Sequence, residues 1–263
     1  QSSRAKIDPL EHIKNHPEFG ASAPTIPGLT RQSSRSRLDP FESMKEGGPG
    51  IANPNKTPAE LRRRASDLYG WDADVEPSKD RPTLIASSTS WSADEDFDLL
   101  LDALIAYDKA HTQRLVVVVT GKGELRRRFE ERYATLNLQS VRVATAWLTT
   151  RDYCCLLACA DVGVSLHAST SGLDLPMKVV DMFGVGLPVL QLAFPCVSEL
   201  VEDGVNGVLF EDAASLAREL AKVSGRGDAL QTLRAGAGLQ ERWGGMWARC
   251  VAPVVGPAFR AGG

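Results

Sequence analysis

The spacing of hydrophobic positions changes several times along the chain, and each change predicts an element. Residues 162–166 form a short apolar run with β-branched side chains, the pattern of a strand buried on both faces. Residues 167–174 are polar and small, so the strand empties into a loop. Pro176 suits the first turn of a helix, where its missing N–H costs nothing. Met177, Val180 and Phe183 predict that helix's apolar face, and Gly184 and Gly186 its end. Residues 188–192 are the next strand. Upstream, residues 83–87 and 115–119 read as strands. Between them, Ser92 and Glu95 form an S-x-x-E capping box, and Phe97, Leu100, Leu101, Leu104 and Ile105 follow at helical spacing. Residues 124–136 predict a helix whose basic side (Arg126, Arg127, Arg128) reads as solvated. Residues 141–144 predict a third strand and 149–159 a helix. A strand over 207–210 comes next, then a helix capped by Asp212 with Leu216, Ala217 and Leu220 inward. A closing helical region spans 230–250 with Trp243 and Trp247.

Strands alternating with helices, most of the strands apolar throughout, give an α/β fold with a doubly wound parallel sheet over residues 81–255. Residues 1–80 lack the apolar content for a core of their own and read as a largely disordered linker. They carry an imperfect repeat, Q-S-S-R-A-K-I-D-P-L-E-H-I-K from Gln1 and Q-S-S-R-S-R-L-D-P-F-E-S-M-K from Gln32. The repeat reads as linker sequence rather than as a docking or phosphorylation element. A short helix is expected over 59–69, and residues 256–263 form a tail.

Composition narrows the classes. A net charge of −3 over 263 residues argues against a general nucleic-acid binder. No apolar run reaches the eighteen or so residues of a membrane span, and no secretory signal opens the sequence. The five cysteines (Cys154, Cys155, Cys159, Cys196, Cys250) lack zinc spacing and read as thiols of a reducing compartment rather than disulfides. The first residue is Gln, which suggests part of a longer chain.

The unit over 160–199 places a polar loop at the carboxyl edge of the sheet, where open α/β sheets hold ligands. Its helix offers free N–H groups and a positive dipole end to a phosphate, with Lys178 one turn in. Asp181, three residues on, is placed to meet a sugar or ribose hydroxyl in the same cleft. An ordinary crossover with a solvated Lys and Asp has the same spacing. Thr120-Gly121-Lys122-Gly123 puts flexible backbone and a cation at the same edge, but it lacks the third glycine of a dinucleotide fingerprint and the ending of a P-loop. The acids Asp94, Glu95 and Asp96 read as first-turn helix acids rather than as a metal site, and no metal or cofactor is expected.

The string P-M-K-V-V-D-M-F-G-V-G-L-P-V resembles the P-x-K-x-x-E-x-x-A-x-G-x-P-V block of nucleotide-sugar glycosyltransferases with the two-domain GT-B architecture. The longer L-H-A-S-T-S-G-L-D-L-P-M-K-V-V-D-M-F-G, with S-S-T-S-W-S-A-D-E-D-F at residues 87–97, is similar to the chitobiosyldiphosphodolichol β-mannosyltransferases. The resemblance covers about residues 81–255. It implies the Rossmann-like, donor-binding C-terminal half of such an enzyme, with GDP-mannose as donor substrate. It also implies a dolichol-linked chitobiose acceptor, inverting β-1,4 transfer, and a place on the cytosolic face of the endoplasmic reticulum membrane beside other mannosyltransferases of lipid-linked oligosaccharide synthesis. The donor contacts it implies are Ser88, Thr89, Ser90 and Trp91 after the first strand, and Gly121, Lys122 and Gly123 after the second. Trp147 and Leu148 follow near guanine, then His167, Ser171, Gly172, Leu173, Asp174, Lys178 and Asp181. Trp147 alone also fits a core lid, and His167 a strand end. The general base is expected from the other half of such an enzyme.

The sequence departs from the wider pattern at two points. The first of the two acids eight residues apart is Leu173, with Asp174 beside it as either replacement or helix cap. The usual Arg and Lys after the first strand give way to residues 88–91. Rival readings are a non-catalytic partner or regulatory domain that kept the fold, and a sugar-nucleotide epimerase.

Overall fold

A computed structural model of the chain describes residues 81–168, 171, 173–241 and 243–255, with Arg226 and Trp243 described in backbone only. The expected linker, its repeat, the helix over 59–69, the tail and Gly172 lie outside the described residues. In order come β1 (Thr83–Ser88), α1 (Phe97–Ala110), β2 (Leu115–Thr120), α2 (Arg126–Ala134), β3 (Val141–Ala146), α3 (Thr150–Cys159), β4 (Val162–Ser165) and α4 (Met177–Gly184). There follow β5 (Val189–Leu192), β6 (Gly207–Phe210), α5 (Ala213–Val223) and α6 (Asp228–Gly238).

The strands form one six-stranded sheet in the order β3-β2-β1-β4-β5-β6, every neighbouring pair parallel. This is the doubly wound order expected from the alternation, and it fixes a switch point between β1 and β4. Successive residues of β1 point to opposite faces. Ile85 joins Val117, Val162, Val164 and the inner sides of α1 and α5 in one core. Leu84 and Ala86 join Val118, Val189 and residues of α3 and α4 in the other. Gly163 lets α4 settle on β4, since a Cβ there would lie 2.3 Å from Met182 Sδ.

Three local expectations change. Helix α1 does not start from a Ser92–Glu95 box: its cap is Asp96, whose Oδ1 accepts from Asp98 N and Leu99 N at 2.9 and 3.2 Å. Residues 92–96 are drawn away because Glu95 makes an isolated antiparallel bridge with His167 across the switch point. In α4 the buried residues are Val179, Met182 and Phe183, whereas Met177 and Val180 are exposed. The i, i+3, i+4 set wins because it forms a tighter stripe than i, i+3, i+6. Helix α4 does end at its glycines: Leu187 N donates to Met182 O and Gly186 N to Phe183 O, the paired bonds of a Schellman stop, with Gly186 at φ +71°. Finally, the closing helical region over 230–250 comes in two pieces: α6 ends at Gly238, and helical backbone resumes at Trp243 and continues without a break through residue 255.

The Asp212 cap is as expected, reinforced by Ser215, with Leu216, Ala217 and Leu220 inward. The cysteines do not pair with one another as disulfides; Cys155 is buried and Cys250 exposed. No helix among the described residues is long and apolar enough to cross a membrane.

Candidate functional site

At the switch point, the loop from β1 to α1 faces the loop from β4 to α4 across an open cleft of about 230 Å³. Ser90, Asp94 and Glu95 line it from one side, and His167, Ala168, Asp174 and Lys178 from the other. Backbone decides how close the two sides come. Trp91 takes the left-handed region at φ 50°, a conformation that costs a bulky residue about 1–2 kcal/mol. That turn drives its ring into the core, 4.7 Å from Phe97 and 5.0 Å from Phe129 between ring centres. The burial offsets the strain and sends residues 92–96 back over the sheet edge toward His167.

The glycine loop after β2 supports the same turn. Gly121 has φ +155°, and a Cβ on it would fall 1.8 Å from Thr89 O; one on Gly123 would fall 1.9 Å from Ser90 O. These glycines therefore serve close backbone packing, and Leu125 N donates to Trp91 O at 3.2 Å in the same contact. Thr89 Oγ1 accepts from Trp91 N at 2.8 Å.

Two polar pairs line the cleft floor. Lys178 Nζ donates to Glu95 Oε1, joining α4 to the first loop, and the two side chains are 19% and 3% exposed. His167 Nε2 lies 2.9 Å from Asp174 Oδ2, whose Oδ1 accepts from Ser171 Oγ at 3.0 Å. The His167 ring rests edge-on against Phe194, and Gln191 Nε2 donates to His167 O at 2.9 Å. Helix α4 opens above this floor with Pro176 as its N-cap and no side-chain cap on its first N–H groups. Asp94, Glu95 and Asp174 are all acidic, yet among the described residues no group of three ligating side chains could hold a metal ion.

Asp181 stands apart from this floor. Its Oδ2 accepts from Tyr153 Oη at 3.3 Å, and that hydroxyl also meets Ser88 Oγ at 3.2 Å. Desolvation raises the Asp181 pKa above the ordinary aspartate value, and the Tyr153 hydrogen bond only partly opposes it. Burial likewise raises the Tyr153 hydroxyl well above its usual range.

The structure thus brings together Ser90, His167, Asp174 and Lys178 from the sequence-predicted set, with Ser171 behind Asp174. Ser88 and Asp181 form a second cluster. Lys122 sits over the Trp147 ring, 4.4 Å from its centre, and Trp147 is 41% exposed, so it is not a core lid. Leu148 packs partly buried against the α3–α4 core, and Leu173 projects into solvent. The Trp91 side chain does not reach the cleft: at 1% exposure it belongs to the core. Glu95, which its spacing predicts to be a first-turn helix acid, lies instead on the cleft wall, paired with Lys178. Its one sequence signal was its place beside the loop end of a strand, and only pairing across the switch point reveals the rest.

The fold is a doubly wound, Rossmann-like domain with an open cleft at its switch point. The family described as "Glycosyl transferases group 1" matches residues 81–225, more than half of the chain, and the chain belongs to that family. The chain is 42% identical over 210 residues to "UDP-glycosyltransferase TURAN" of Arabidopsis thaliana, covering 70% of this chain and 45% of that protein. It is 43% identical over 188 residues to the chitobiosyldiphosphodolichol beta-mannosyltransferase of Homo sapiens, covering 67% and 40% respectively. The Dictyostelium discoideum protein of that name is 45% identical over 157 residues, covering 52% and 32%. The resemblance read from the motifs is therefore borne out over most of the described chain, which spans less than half the length of these relatives. Among solved structures, TarM superposes with a TM-score of 0.52 at 14% identity, covering 75% of this chain and 41% of TarM. A glycosyltransferase from Rickettsia africae superposes at 0.50 and 15%, covering 72% and 48%. At such identities these two carry the fold alone.

Proposed function

We propose that the cleft binds the diphosphate of a sugar nucleotide, and that the chain is the donor-binding half of a mannosyltransferase. The observation that carries this reading is Lys178: an ammonium held at the switch point, in the first turn of a helix whose first N–H groups have no side-chain cap. Helix terminus and cation together suit two phosphates. In the reaction, an acceptor hydroxyl attacks the anomeric carbon, the bond to the diphosphate breaks, and negative charge grows on the leaving nucleotide. Lys178 and the helix terminus take up that charge.

The name shared by several relatives supports chitobiosyldiphosphodolichol as acceptor and a β-linked mannose as the transferred sugar. GDP-mannose as donor, the β-1,4 linkage and inversion complete the proposal. So does work on the cytosolic face of the endoplasmic reticulum membrane, beside other mannosyltransferases of the same assembly. Trp147 offers a partly exposed ring near the base, and Asp181 a carboxylate for ribose or sugar hydroxyls. We assign the general base that inversion needs to the half of the relatives that this chain does not span.

Calorimetric titration with GDP, GDP-mannose, UDP and UDP-sugars tests the reading. Guanine-selective binding is expected, at least tenfold weaker in Lys178→Ala, as befits loss of a charged phosphate contact. Selectivity for uracil would replace the donor assignment, a result that the name of the Arabidopsis relative makes worth looking for. Binding of no nucleotide would sink it.

A further inference from the structure

Glu95 has no task in the reaction just proposed, yet it is the most buried carboxylate lining the cleft. Its side chain is 3% exposed, and its hydrogen-bonded partner is the ammonium of Lys178. A negative charge in that position cannot attract a diphosphate. It repels one, and it already holds the cation that the diphosphate would use. Two features show that the pairing is built rather than incidental. The backbone of Glu95 is pinned to His167 by the bridge across the switch point, and the strained turn at Trp91 delivers residues 92–96 to that place. Pair and bridge together tie both lips of the cleft through one residue.

We infer that Glu95 is an electrostatic placeholder for the diphosphate. This rests on the nucleotide reading of the cleft. With the site empty, Glu95 keeps Lys178 extended across the floor instead of letting it turn into solvent. A diphosphate binds by taking over the ammonium, and on departure Glu95 reclaims it. The exchange swaps one anionic partner for another, and no covalent bond forms or breaks. The device sets an upper limit on affinity for the leaving nucleotide and quickens its release. A cleft that gains transition-state stabilisation from a strong phosphate contact would otherwise retain its product.

The test is nucleotide affinity and dissociation rate for the 263-residue chain, using whichever of GDP and UDP the wild type binds more tightly. Glu95→Gln is compared with Lys178→Ala. Removing one charge beside the phosphates is expected to tighten binding about three- to tenfold, mostly through slower dissociation, with the gain shrinking at high salt. A merely structural Glu95 would give equal or weaker binding. Glu95→Asp, one methylene short of Lys178, is expected to move affinity in the same direction by less, and it serves if the Gln variant does not fold. The inference is overturned if Lys178→Ala weakens binding while neither Glu95 variant strengthens it. If the wild type binds neither nucleotide, the nucleotide reading itself fails and takes this one with it.

Discussion

Two buried carboxylates stand at opposite edges of the same sheet, and they are satisfied very differently. Asp161, just before β4 at the amino edge, is fully buried and takes four strong bonds. Arg81 donates to both its oxygens at 2.7 and 2.8 Å, Arg234 Nη2 donates at 2.8 Å, and Leu84 N at 2.8 Å. Glu95, at the carboxyl edge, is nearly as buried but is held by one lysine at the wall of an open cleft. A forked guanidinium fixes two oxygens at once, whereas an ammonium is a point charge on a flexible stem. The amino edge is thus built to stay closed and the carboxyl edge to exchange partners. Charge burial alone does not separate a structural site from a functional one; the number and rigidity of the partners do.

The comparison breaks most sharply at Asp161. Asp161→Ala strands two arginines and the Leu84 amide and is expected to cost about 3–5 kcal/mol, read as a drop in urea midpoint. Loss of less than 1 kcal/mol would place Asp161 with the exchangeable pairs. Glu95→Gln is expected to cost only about 1 kcal/mol or less, because the freed ammonium can reach the water of the cleft. The same denaturation series measures it, and a loss matching that of Asp161→Ala would make the two edges alike. The smallest effect concerns Asp181. Its pKa is raised in the fold, so the stability of its protonated form is whole below the ordinary value of 3.8 and is lost as pH rises through the folded value. Ionised Asp181 therefore burdens the fold at neutral pH. Asp181→Asn should unfold at an equal or higher temperature than the wild type at pH 7, with the difference closing in acid. A lower melting temperature at pH 7 would contradict this.

Much of the frame was legible because it depends on local repetition. The apolar runs of β2 and β4, the glycine stop of α4 and the cap at Asp212 each follow from a few neighbouring residues, and alternation of strands with helices implied the sheet. Errors arose where distant chain segments compete. Ser92 and Glu95 have the right spacing for a capping box, but His167 offers Glu95 a bridge that no local pattern records. Trp91 sits in a polar loop string, yet Phe97 and Phe129 give its ring a better place inside. The close approach of Gly121 and Gly123 to the Thr89 and Ser90 carbonyls is a further contact that no local pattern records.

By itself, the sequence determined the strand and helix alternation, the position of the polar loops at the carboxyl edge, and the family to which the motifs point. Periodicity and turn chemistry act over a few residues, so they can be read along the chain. Only the tertiary structure decided which charges meet. Lys178 and Glu95 lie 83 positions apart, and Arg81 and Asp161 80 apart. Ion pairing depends on separation in space and on water excluded by the surrounding fold, and neither quantity is defined until β1 and β4 lie side by side.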